Sequence, residues 1–80
     1  MGPAASGQLK KRVSARALLA ANVVSLRRTK ELSQEGLAFE AGLHRTFVAH
    51  VERQVRNISL DNIEKLAVAL GVEPYELLKP

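Results

Sequence analysis

The sequence predicts an all-α domain of five helices. Apolar residues recur at helical spacing through most of the chain. Ser14, Ser33 and Ser59 each stand just before such a segment, and Gly42 and Gly71 each stand just after one. No stretch alternates apolar and polar residues as a half-buried strand would.

The elements follow in order. Met1 to Gly7 is rich in Gly, Pro, Ala and Ser, and with Lys10, Lys11 and Arg12 following, residues 1–13 read as a flexible basic segment. Ser14 is placed to cap a first helix, Ala15 to Lys30, whose Leu19, Val23 and Leu26 form one face. Arg27, Arg28 and Lys30 fall in its last turn, where cations suit the helix dipole. Ser33 caps a second helix, Gln34 to Ala41, burying Leu37, Ala38 and Ala41. Gly42 supplies the left-handed residue that ends it. A third helix, Arg45 to Arg53, turns Val48 and Val51 inward. Ser59 caps a fourth, with Leu60, Ile63, Leu66, Ala67 and Leu70 as its apolar stripe and Gly71 as its stop. Pro74 opens a fifth, Pro74 to Leu78. The domain proper is residues 14–80.

Composition narrows the function. A chain of 80 residues has one small core and no room for a deep substrate pocket. With no cysteine it has neither a disulfide nor a thiolate metal site. The longest purely apolar run, Ala17 to Ala21, is far short of the ~20 residues of a membrane span. No apolar segment with a small-residue cleavage site follows the N-terminal basic residues, so a soluble cytoplasmic protein is expected. Lys and Arg number 12 against 8 Asp and Glu, a net charge of +4. The basic residues gather before Ile58 and the acidic Asp61, Glu64, Glu73 and Glu76 after it, so the first part of the chain is the end suited to a polyanion.

The second and third helices sharpen that choice. A short helix laid across a DNA backbone, followed by one placed in the major groove, needs a small residue at the crossing, a glycine at the turn and apolar residues on the inner face. Ala38, Gly42, Leu43, Val48 and Val51 meet those needs. Two other chemistries fall away. His44 and His50 lie on opposed faces of the third helix with no third ligand near, so no metal is expected. The three serines are accounted for as caps, and no nucleophile elbow or phosphate loop is present, so no enzyme is expected.

From Val23 to Leu78 the sequence resembles the lambda-repressor-like helix-turn-helix family, also called XRE or Cro-like. The residues that carry the resemblance are Leu32-Ser33-Gln34-Glu35, Leu37-Ala38, Ala41-Gly42-Leu43, Val51-Glu52-Arg53, Arg56-Asn57, Ser59-Leu60, Leu66 through Val72, and Tyr75-Glu76-Leu77-Leu78. Small stand-alone members include phage-type repressors, restriction–modification controllers and antitoxin modules.

The resemblance implies a regulator that binds double-stranded DNA as a homodimer, without cofactor, small-molecule ligand or membrane, and with RNA polymerase as a possible further contact. It implies base contacts from Arg45, Thr46 and His50, and a guanine held bidentately by Arg45 would contribute ~1–3 kcal/mol of discrimination. Phosphate contacts are implied for Gln34, His44, Arg53, Arg56 and Asn57. Arg27 and Glu52 match an ion pair tying the first helix to the third. Val72, Tyr75 and Leu78 match a two-fold interface, with a lid over the core as the other reading of that region.

The sequence departs from the family's pattern at four positions. Gly36 lies inside the second helix, at a cost of roughly 1 kcal/mol against alanine. Gln54 stands where glycine is common, Ile58 where proline is, and His44 where a small hydroxyl residue caps the third helix. Two questions stay open at this level. Lys10, Lys11 and Arg12 read either as a DNA-contacting arm or as a solvated tail. The whole chain reads either as an operator-binding regulator or as an antitoxin-like interaction module that binds DNA secondarily.

Overall fold

The computed structural model describes residues 13–80; the flexible segment expected over 1–13, with Lys10, Lys11 and Arg12, lies outside it apart from Val13. The described residues form helices α1 (Ala15–Thr29), α2 (Gln34–Ala41), α3 (Arg45–Glu52) and α4 (Leu60–Leu70), then a 3-10 turn (Pro74–Leu77), with no strand. None of these helices is long and apolar enough to cross a membrane.

Each serine cap forms as its chemistry requires. Ser14 Oγ accepts from the Ala17 amide, Ser33 Oγ from Gly36 and Ser59 Oγ from Asn62, each satisfying one amide that has no partner in the first turn. Gly36, capped this way, does not interrupt α2. His44 occupies the N-cap position of α3 without a side-chain hydrogen bond, so its side chain does not cap.

All four helices end alike. The amide two residues past the last helical turn reaches back to the carbonyl five residues earlier: Leu32 to Arg27, Leu43 to Ala38, Val55 to His50 and Val72 to Ala67. This Schellman closure needs one residue in the left-handed region. Gly42 (φ 72°) and Gly71 (φ 73°) supply it after α2 and α4, whereas Glu31 (φ 59°) and Gln54 (φ 63°) supply it after α1 and α3.

The core draws on every element. Leu19 and Val23 from α1, Leu37, Ala38 and Ala41 from α2, and Val48 and Val51 from α3 are buried together. Ile63, Leu66, Ala67 and Leu70 from α4 and Leu77 from the 3-10 turn complete the cluster. α3 packs against α1 and α2, and α4 packs against α2 and the 3-10 turn.

Two expectations are corrected. The described residues form four α-helices, where five were expected. The Pro74–Leu77 segment closes i to i+3, with Leu78 N–H on Tyr75 O at 3.0 Å, because four residues pinned by Pro74 and by reciprocal Glu73 and Glu76 caps are too few for an α-turn to propagate. Leu60 is 82% exposed rather than part of the apolar stripe. It stands at the first position of α4, on the edge of the stripe. Smaller shifts are at the ends: α1 stops at Thr29 and α3 at Glu52.

The C-terminal turn is fastened to α1. Asn22, on the half-buried side of that helix, donates from Nδ2 to Leu77 O and to Lys79 O, both at 2.9 Å. Leu77 is fully buried, Val72 and Leu78 are half-buried, and Tyr75 is 69% exposed.

Candidate nucleic-acid interface

The pattern of α3 sorts its residues onto two faces. Val48 and Val51 lock it to the core, which leaves Arg45, Thr46, Ala49, His50 and the following Arg53 on the other side. Arg45, Thr46 and Arg53 are exposed, and Ala49 and His50 are half-buried. The turn before α3 is set by Gly42 and by Leu43, whose amide donates to Ala38 O at 2.8 Å. Since His44 brings no side-chain acceptor, the start of α3 is free to meet an acceptor from outside.

The only carboxylate α3 contributes is turned away from that outer face. Arg27 Nε donates to Glu52 Oε2 at 2.7 Å and Nη2 to Glu52 Oε1 at 3.0 Å, while Nη1 donates to Leu32 O at 3.0 Å. Gln34 Nε2 adds a bond to Glu52 Oε1 at 2.8 Å. The two charged side chains are only 12% and 7% exposed. Burial pushes the Glu52 carboxyl up. The hydrogen bonds from Arg27 and Gln34, with the charges of Arg27 and Arg28, outweigh it, so the group ends below the usual carboxylate range. The Arg27 guanidinium is held above its usual value by the same hydrogen bond, against the opposing effect of burial. One cluster thus ties α1, the loop after it, the first residue of α2 and the last of α3. Gln34 Nε2 carries a second hydrogen beyond the one given to Glu52.

Beyond α3 the chain turns through Gln54 and exposes Arg56 and Asn57. The Arg56 guanidinium carbon lies 5.2 Å from the centroid of the Phe47 ring, a cation–π distance that limits where Arg56 points. Phe47 itself is half-buried against the core and forms the platform beneath Arg56. Arg56 lines two concavities. One holds His44, Thr46 and Asn62; the other holds Arg16, Gln54 and Asn57 above an apolar floor of Leu19, Ile58 and Ile63. Ile58, at the position where proline is common in the family, is part of that floor.

The sequence pattern did not single out Arg16, Asn22 or Asn62. Arg16 Nη2 donates to Asn57 Oδ1, joining the first turn of α1 to the loop after α3. One signal was available: a cation in the first turn opposes the helix dipole, so Arg16 is poorly placed for helix stability alone. Among the described residues no three His, Asp or Glu side chains group as metal ligands.

A tight left-handed turn between two short helices, a core-locked second helix and an outward face free of carboxylates define a module that presents a helix to a polyanionic groove. The comparisons agree. The family profile described as "Helix-turn-helix" matches residues 24–77. The control protein C.BamHI of Bacillus amyloliquefaciens is 53% identical over 64 residues, which are 79% of each chain. The structure of the restriction–modification controller protein C.AhdI from Aeromonas hydrophila superposes with a TM-score of 0.75 at 52% identity, over 78% of this chain and 94% of that one. The structure of the hypothetical transcription factor NHTF from Neisseria superposes with a TM-score of 0.82 at 54% identity, over 84% of this chain and 77% of that one. The chain belongs to the XRE-like helix-turn-helix family of DNA-binding transcriptional regulators, among the relatives of the restriction–modification controller proteins.

Proposed function

We propose that two copies of this protein bind a pseudo-palindromic operator, with one α3 in the major groove of each half-site. The observation that carries this reading is the outer side of α3: Arg45, Thr46, His50 and Arg53 face outward while Glu52 is neutralised by Arg27. Arg45, Thr46 and His50 meet base edges, and Gln34, His44, Arg53, Arg56 and Asn57 meet phosphates. One recognition helix reads only ~4 base pairs, so the specificity expected of a regulator calls for a dimer and for half-sites about one turn, ~10 base pairs, apart. Val72, Tyr75 and Leu78 form the two-fold contact. The names of the relatives, a control protein and a restriction–modification controller, support control of such an operon as the biological role. Occupancy acts by occluding a promoter or by touching RNA polymerase bound beside it.

The test is selection of bound sites from a random duplex library, with sedimentation of the free protein alongside. An enriched inverted repeat and a dimer are expected. Weak, salt-sensitive binding without enrichment would reject the reading in favour of an antitoxin-like interaction module.

A further inference from the structure

Arg16 stands in the first turn of α1, forty-one residues from its hydrogen-bond partner Asn57. An arginine side chain has only donors, so the amide that faces it must present its oxygen. With Oδ1 taken by Arg16, the Asn57 Nδ2 group is directed away with two hydrogens to give. The other donors of the guanidinium, Nε and Nη1, make no bond within the described protein, and both residues are exposed. The pair therefore offers an acceptor-rich partner several unused donors. It does so on the rim of a concavity of about 650 Å³ that Arg56 also lines, and Arg56 in turn borders the start of α3. Arg56 thus links the concavity that Arg16 and Asn57 line to the one that His44 and Thr46 line.

As an internal tie the bridge contributes little, because both side chains are exposed and water competes for the same groups. A cation at this position also works against the dipole of its own helix. Phosphate binding accounts for both features. We propose that Arg16 is a DNA-backbone residue: it orients Asn57, and the two together hold one phosphate flanking the groove that α3 enters. The inference rests on the operator-binding reading and extends its footprint from the recognition helix to the first turn of α1.

The experiment is a fluorescence-anisotropy titration of the full chain against two duplexes, the selected operator and a scrambled sequence, over a range of salt. The variants are Arg16→Ala, Arg16→Lys, Asn57→Ala and the Arg16→Ala, Asn57→Ala double. Their melting temperatures, expected to match the wild type, show that each is folded. Arg16→Ala should weaken both duplexes by the same factor, about three- to tenfold, and flatten the dependence of log Kd on log salt by about one unit. Arg16→Lys should restore the slope, since it keeps the charge, without restoring full affinity, since it lacks the planar fork. Asn57→Ala should cost less when Arg16 is already gone, the mark of two residues acting on one phosphate. A wild type that prefers its operator beside an Arg16→Ala variant with unchanged affinity and slope overturns this inference and leaves the functional reading intact. Strictly additive losses also overturn it. A wild type that binds neither duplex overturns both.

Discussion

At Gln54 the backbone adopts a conformation that disfavours every side chain except glycine's absence of one: φ is 63° in a turn that the helix needs to finish. A β-carbon in this region costs ~1–2 kcal/mol, part of which glycine returns as chain entropy on folding. Gln54→Gly should therefore stabilise the protein by about 0.5–1 kcal/mol in urea denaturation while leaving operator affinity unchanged. The Arg27–Glu52 pair is the opposite case, a residue-scale feature on which the fold leans. Arg27→Ala leaves a carboxylate that is 7% exposed with Gln34 as its remaining partner and should cost about 3 kcal/mol of stability. Its pH dependence follows from the direction of the shift. Because the folded Glu52 carboxyl lies below its ordinary value, its contribution is complete above that ordinary value and disappears as the pH falls through the lower folded one. The stability gap between the wild type and Glu52→Gln, read from urea midpoints, should accordingly be largest near neutrality and shrink across that acid range.

Elements were legible where a local signal sufficed. Serine caps, left-handed glycines and three-to-four spacing located α1 through α4 to within a residue, because each signal acts on the backbone beside it. Leu60 and the last turn were misjudged for a different reason: whether a residue is covered, or a four-residue turn extends, depends on what packs there rather than on the neighbouring letters. The bridges Gln34–Glu52 and Arg16–Asn57 were invisible for the same reason, each joining segments far apart in the chain. The recognition helix gives the element-scale test of the proposal. Arg45→Ala should relax the selected consensus at one base pair and leave the salt slope nearly unchanged. Arg56→Ala should weaken all sequences alike and reduce that slope by about one. A uniform loss for Arg45→Ala would mean that α3 lies elsewhere on the duplex.

At the scale of the molecule, the four helices of the described residues are held by one small core, so single core truncations weigh heavily. Leu37 is fully buried in α2; Leu37→Ala should cost about 2–5 kcal/mol, a large share of what so small a domain has. Surface changes should separate assembly from folding. Tyr75 is the clean probe of the proposed two-fold contact, because it is exposed whereas Leu78 also packs on the core. Tyr75→Glu should move sedimentation toward the monomer and weaken operator binding while the chain still melts cooperatively. A dimer that persists would put the contact on another face.

The clasp from Asn22 to Leu77 and Lys79 gives this assembly a mechanical property. In the proposed dimer the two recognition helices are separated by whatever lies between each α3 and the two-fold axis, and the Asn22 bonds fasten the last link of that path to α1. In such a dimer the amide would serve as a gauge block, holding the two reading heads at a set distance and so selecting the spacer length between half-sites. Loosened by Asn22→Ala, the same heads would read the same half-site letters while tolerating operators a base pair too long or too short.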